Sequence, residues 1–151
     1  MSSEERKISS WDLPVTEEAL CQAALEAMKR AYVPYSKHRV GAALLGADGR
    51  IYTGCNVENA GYGPTVCAER TAVFKAVSEG ERSFAAIAIA GGIRGRIRGA
   101  CPPCGVCRQV LREFCGTDFP ILLVSSRRPL AFERHTLGEL LPFSFGPEFL
   151  G

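Results

Sequence analysis

Two short cysteine fragments, Cys67-Ala68-Glu69 and Pro103-Cys104-Gly105-Val106-Cys107, constrain this chain more than any other feature. Each stands at the start of a stretch with helical spacing, thirty-odd residues from the other. If the three cysteines share one ion, two helix starts must converge on one point, and the fold must be of a kind that permits it. A structural zinc is normally enclosed by four protein ligands, whereas a catalytic zinc keeps three and leaves the fourth position to water or substrate. Three cysteines beside a glutamate therefore point to chemistry.

The order of elements supports such a fold. Residues 1 to 14 are polar, end at Pro14 and read as a flexible tail, leaving 15–151 as a single domain. Thr16 is placed as a helix N-cap, with Leu20, Ala23, Ala24, Ala27, Met28 and Ala31 at helical spacing behind it, so a first helix is expected near 16–32. Two apolar runs, 39–46 and 50–55, flank Ala47-Asp48-Gly49 and predict a hairpin. A second helix runs from Cys67 to Glu79, with Gly80 as its terminator. Residues 84–90 are apolar throughout, as in a strand covered on both faces. A Gly- and Arg-rich loop from 91 to 99 leads to a third helix that opens at the cysteine pair and ends near Phe114. A buried strand at 121–125, a short edge strand at 130–133 and a terminal helix at 136–141 complete the chain. Strands interleaved with helices predict an α/β fold, a three-layer α/β/α sandwich on a mixed, roughly five-stranded sheet.

Composition limits the partners. With 151 residues, 46% of them hydrophobic, the chain suits one domain with a substantial core. A formal charge of +2 gives no case for nucleic acid or a membrane surface as partner, and the apolar runs are too short to cross a bilayer. The N-terminus lacks the apolar core of a signal peptide, so a soluble, cytoplasmic protein is the default. Seven cysteines do not form the framework of a small secreted domain; Cys21, Cys55, Cys101 and Cys115 read as free thiols without assigned function.

The metal fragments carry further chemistry. Helix starts are partly positive and favour thiolate over thiol. Cys104 and Cys107 are three apart and can share an ion, whereas Cys67 and Glu69 are two apart and on a regular helix would turn to nearly opposite sides. The ion is therefore expected off the helix end, with Cys67 in the first turn and Glu69 reaching around a bound water as general base. Three thiolates oppose deprotonation of that water, so a compensating cation is needed. Arg70 can donate hydrogen bonds to the sulfurs, or be a solvated helix arginine. Two other readings of Cys-x-x-Cys stay open on the residues alone: a redox dithiol, and a closed structural zinc completed by Cys101, His38 or His135.

The residues also match a family. Cys67-Ala68-Glu69-Arg70-Thr71-Ala72 with Pro103-Cys104-Gly105-Val106-Cys107-Arg108-Gln109-Val110 resembles the small homotetrameric zinc-dependent cytidine deaminases that act on free nucleosides. So do Pro34-Tyr35-Ser36-Lys37, Val40 to Leu45, Gly54 to Ala60, Lys75 to Gly80 and Glu139 to Pro142, from about residue 20 to the C-terminus. The resemblance implies a cytidine deaminase-like fold and one Zn2+ per subunit on Cys67, Cys104 and Cys107. Glu69 would be the catalytic residue. It also implies hydrolysis of cytidine and 2′-deoxycytidine to the uridines with release of ammonia, a step of pyrimidine salvage.

The same resemblance assigns the substrate site. Asn56 and Glu58 would hold the ribose, although by themselves they could be a turn residue and a surface charge. An amide and a carboxylate give a 5′-phosphate no partner, which favours a nucleoside over a nucleotide. Ala60 and Ala68 would lie along the substrate. Tyr62 and Phe145 would reach it from neighbouring subunits, or else be ordinary aromatics at a core edge. His38 stands where relatives commonly have a phenylalanine against the pyrimidine; an imidazole can still stack but adds a titratable group, or is simply tolerated. The Arg94, Arg96, Arg98 loop is read as a solvated surface loop. Deamination of another small aminopyrimidine, or a catalytically silent zinc-stabilised binding protein, are the rival functions.

Overall fold

A computed structural model describes residues 13–151. Most of the 1–14 tail expected from sequence lies outside the described residues. The chain order is α1 (Glu17–Met28), β1 (His38–Gly46), β2 (Ile51–Cys55), α2 (Ala68–Ser78), β3 (Phe84–Ile93), α3 (Gly105–Phe114), β4 (Pro120–Arg127), β5 (Leu130–Thr136) and α4 (Leu137–Leu140), followed by a 3-10 turn at Pro147–Leu150. The strands form one five-stranded sheet in the order β2-β1-β3-β4-β5. Only β3 and β4 are paired parallel, and α3 supplies the crossover that a parallel pair requires. The sheet is mixed, as expected.

Side-chain alternation divides the core into two layers. Ala43 and Leu45 of β1, Ala86, Ala88 and Ala90 of β3, and Leu122 and Val124 of β4 pack against Leu20, Ala24, Leu25 and Met28 of α1. The intervening Ala42, Leu44, Ile87, Ile89, Ile121 and Leu123 pack against α2, α3 and α4 through Ala68, Val73, Leu111 and Leu137. Period-two alternation on strands buried on both sides gives the three layers.

Two glycines set how closely the layers approach. A Cβ at Gly41 of β1 would lie 2.1 Å from the Ala24 carbonyl of α1, and one at Gly54 of β2 would lie 2.4 Å from the Ala68 carbonyl of α2. Each helix therefore crosses its strand in backbone contact, one on each face.

Five elements are bounded differently from expectation. The first helix stops at Met28, because Tyr32 leaves it to bridge Val57, donating to the Asn56 carbonyl at 3.0 Å and accepting from Glu58 N at 2.9 Å. β3 extends through Gly91 and Gly92 to Ile93, which stay paired with Val40, Arg39 and His38. β4 and β5 also run longer, to Arg127 and Thr136, through pairs such as Pro120 with Thr136. The terminal helix is a single turn, capped by Thr136 through its side-chain bond from Glu139 N at 3.2 Å.

The antiparallel pairs place β2 and β3 in the same direction. Gly41 stands opposite both Cys55 and Ala90, so the C-terminal ends of β2 and β3 lie at one edge, beside the start of β1 at His38. The segments leaving that edge lead to the N-termini of α2 and α3, which brings both cysteine fragments there.

Candidate active site

Cys67 and Cys104 are the N-cap residues of α2 and α3. Each has an extended backbone, with ψ of 157° and 167°, and its carbonyl accepts the first helical bond, from Thr71 N at 3.1 Å and Arg108 N at 3.0 Å. Cys67 thus precedes the helix rather than sitting in its first turn. The extended backbone at Cys67 means that the regular helical angle does not separate it from Glu69. Neither cysteine side chain caps its own helix, which leaves both sulfurs for another partner.

The three sulfurs gather at that edge. Cys67 Sγ is 3.6 Å from Cys104 Sγ, Cys104 Sγ is 3.4 Å from Cys107 Sγ, and all three lie within 4.8 Å of one another. No fourth His, Cys, Asp or Glu among the described residues joins them, so the closed site through Cys101, His38 or His135 does not form. Ionisation within the trio is unequal. The Cys107 thiol, followed by Arg70 and Cys104, holds Cys67 down to about 5 against the opposing effect of burial. Cys107 is pushed upward by its hydrogen bond to Cys67 and then by burial. Three thiolates this close need a cation between them, and three soft donors with an open fourth position suit zinc.

The surroundings fit the same ion. Arg70 Nη2 donates to Cys67 Sγ at 3.4 Å. Its Nε is buried without a hydrogen-bond partner among the described residues. Glu69 is the second residue of α2 and only 4% exposed, the single buried charged side chain among the described residues. Burial pushes its carboxyl up to about 7, opposed by its backbone hydrogen bond and reinforced by the negative charge of Cys67. A carboxyl that exchanges a proton near neutrality can act as both base and acid.

The other sequence-derived residues divide into two groups. Asn56, Glu58 and His38 form one patch. Asn56 Oδ1 accepts from Val40 N at 2.9 Å and its Nδ2 donates to the His38 carbonyl at 2.8 Å. Glu58 Oε1 accepts from Tyr35 N at 3.0 Å and Ser36 N at 3.1 Å, and Ser36 and these amides hold its carboxyl below the usual range. Paired bonds between Val57 and Val66, at 3.0 and 3.1 Å, tie this patch to the residue before Cys67. Ala68 is fully buried against the core beside the cluster, whereas Ala60 is exposed in the loop that the Val57–Val66 bridge closes. Tyr62 is 85% exposed in that loop, and Phe145 is 55% exposed and stacked on Phe149 with ring centroids 5.2 Å apart. Within this chain neither ring joins the sulfur cluster.

Sequence reasoning assigned no role to Arg108. Its Nε donates to the Pro103 carbonyl at 2.7 Å and its Nη1 to the Leu140 carbonyl, fastening the loop before Cys104 to α4. An arginine directly after a ligand was visible in the sequence, but its carbonyl partners are set by tertiary structure alone.

Comparisons with known proteins agree with this site. Residues 14–123 match the family described as the cytidine and deoxycytidylate deaminase zinc-binding region. The chain is 49% identical over 133 residues to a cytidine deaminase of Sporosarcina psychrophila, covering 88% of this chain and 93% of that protein. It is 46% identical to one from Mycobacterium tuberculosis, covering 82% and 84%. The crystal structure of cytidine deaminase from Burkholderia pseudomallei superposes with a TM-score of 0.78 at 44% identity, over 87% of this chain and all of that one. With three sulfurs and a buried carboxyl inside the matched region, the chain belongs to the cytidine and deoxycytidylate deaminase zinc-binding family.

Proposed function

We propose that this chain catalyses the hydrolytic deamination of cytidine and 2′-deoxycytidine, releasing ammonia and the corresponding uridines. The observation that carries this reading is the buried carboxyl of Glu69 two residues from Cys67, in a group of three sulfurs that can hold one zinc. When bound by Cys67, Cys104 and Cys107, zinc supplies the Lewis acidity that lets a water give up its proton near pH 7. Glu69 receives that proton and delivers it to ring N3, which makes C4 electrophilic, and the oxygen of the deprotonated water adds there. Glu69 then takes the proton of the new C4 hydroxyl and passes it to the amine, so that the C4–N bond breaks, the C4 carbonyl forms and ammonia leaves. Arg70 withdraws electron density from Cys67 through its hydrogen bond, limiting how far three thiolates weaken the Lewis acid.

Substrate binding follows from the patch beside the cluster. Glu58 keeps one carboxylate oxygen clear of its bonds to Tyr35 and Ser36, and this oxygen accepts from ribose hydroxyls. Asn56 spends one lone pair and one N–H on β1, which fixes its amide and leaves the other pair and proton for the sugar. The imidazole of His38 lies along the base, with Ala60 and Ala68 beside it. Exposed rings at Tyr62 and Phe145, together with Phe143 and Phe149, favour association, and a homotetramer with Tyr62 and Phe145 entering neighbouring sites accounts for them. Residues 15–151 act as one domain in this scheme. The seven cysteines are all free, which suits a reducing compartment such as the cytoplasm, and no described helix is long and apolar enough to cross a membrane.

The test is ultraviolet absorbance of purified protein with cytidine, deoxycytidine and cytosine, read with zinc content. Turnover of both nucleosides and not of the free base is expected. Zinc-loaded protein inert on all three would refute the proposal.

A further inference from the structure

The arginine loop read from sequence as a solvated surface lines a concave site. A cavity of about 550 Å³ opens where β3 ends, walled by His38, Ile93, Arg94, Arg96, Arg98 and Pro102 together with small residues, and no carboxylate lines it. Its volume lies within the range of small-molecule sites. None of the three guanidinium groups makes an ion pair or side-chain hydrogen bond with any described residue, in contrast to Arg39, which is spent on the carbonyls of Lys29 and Ala31. A cleft walled by one sign of charge concentrates the positive potential and draws anions into it.

The loop is also preformed. Arg94 N donates to the Lys37 carbonyl at 2.6 Å, Gly95 N to Gly92 at 3.1 Å and Arg96 N to Ile93 at 3.1 Å. The Arg96 carbonyl comes so close to Gly92 that a Cβ there would lie 1.8 Å from it, and Ile97 packs on the core layer of α1. The backbone that carries the arginines is therefore fixed before any ligand arrives. The imidazole of His38 and the apolar side chains of Ile93 and Pro102 also line the cavity and can pack against a ring.

We propose that this pocket binds a nucleoside phosphate, with its phosphates on Arg94, Arg96 and Arg98 and its base against His38, Ile93 and Pro102. Guanidinium groups recognise phosphate oxygens through paired hydrogen bonds, so no metal is needed at this position. His38 also belongs to the substrate patch of the proposed deaminase. A bound nucleotide therefore raises KM for cytidine without altering kcat.

Isothermal titration of the intact protein with adenosine 5′-triphosphate, inorganic triphosphate and adenosine, free of magnesium, tests the proposal. The binding readout needs no turnover, so its outcome is separate from that of the proposed deamination. Adenosine triphosphate is expected to bind saturably, at least tenfold more tightly than either inorganic triphosphate or adenosine. Arg94→Gln, Arg96→Gln and Arg98→Gln should each weaken it about tenfold, as expected for loss of a charged hydrogen bond. Arg50→Gln, on a distant exposed ion pair with Glu79, should leave it unchanged. Equal binding of inorganic triphosphate would overturn the role of the base. Equal losses in Arg50→Gln, or none in the three loop variants, would overturn the site. A single-stranded oligonucleotide binding a hundredfold more tightly than the nucleotide would replace the small ligand with nucleic acid and overturn the proposal.

Discussion

Replacing Gly54 by alanine should disable the metal centre from the opposite side of α2. The added Cβ would lie 2.4 Å from the Ala68 carbonyl and 2.5 Å from Ala72 N, both backbone atoms that cannot rotate away. Restoring an ordinary contact of 3.4 Å moves the start of α2 outward by about 1 Å. Overpacking of this kind costs about 1–3 kcal/mol, and more where backbone must move. For a chain of this size that lowers Tm by about 2–12 °C. The displacement falls on Ala68, next to Cys67 and Glu69. Metal–ligand distances tolerate about 0.2 Å, so Cys67 would leave the geometry it shares with Cys104 and Cys107. Misplacement on this scale costs about 100-fold in turnover even where metal is retained. Zinc content by atomic absorption, a thermal melt and the cytidine assay read the three consequences. Gly63→Ala is the control, because a Cβ there meets nothing within 4 Å. Equal zinc, Tm and turnover in the two variants would refute the close crossing of α2 over β2.

Three further outcomes follow from the site. Arg70→Ala should keep the zinc but lower turnover by about 10–100-fold, the usual effect of losing a partner that tunes a metal ligand. Zinc and rate measured together check this. Chelation should lower Tm and zinc should restore it; at 100 times Kd, bound metal contributes about 2.7 kcal/mol, and a melt series with added zinc reads the shift. Chelated protein melting as the zinc form does would count against a metal held by the fold. His38→Phe should lower KM for cytidine, because a phenyl ring packs on the pyrimidine without a polar edge to desolvate. KM values of both proteins would show it.

The chain discloses its layers because strand alternation and helical spacing depend on neighbours in sequence. Ala42 and Leu44 face one layer while Ala43 and Leu45 face the other, and this alternation is visible in the residues alone. Boundaries set by distant partners were not visible. Nothing near Ala31 announces that Tyr32 will leave the helix to pair with Val57, and Gly91-Gly92 reads as loop until β1 is found paired with it. The same division holds at the site. The cysteines and Glu69 were identifiable from spacing and resemblance, but the N-cap position of Cys67 depends on where α2 begins by packing over Gly54. The anchor from Arg108 to Leu140 and the cavity around Arg94, Arg96 and Arg98 join segments that composition cannot bring together.

The proton-transfer role of Glu69 is open to one direct measurement, the Glu69→Gln variant assayed for zinc and for cytidine turnover on the same preparation. Gln has nearly the same shape as Glu but cannot carry the proton, and Glu69 is buried without belonging to the group of three cysteines. Zinc content equal to the parent protein is expected, with turnover reduced by at least about 100- to 10,000-fold, the contribution of general acid–base catalysis. Near-normal turnover with zinc intact would contradict proton transfer through Glu69.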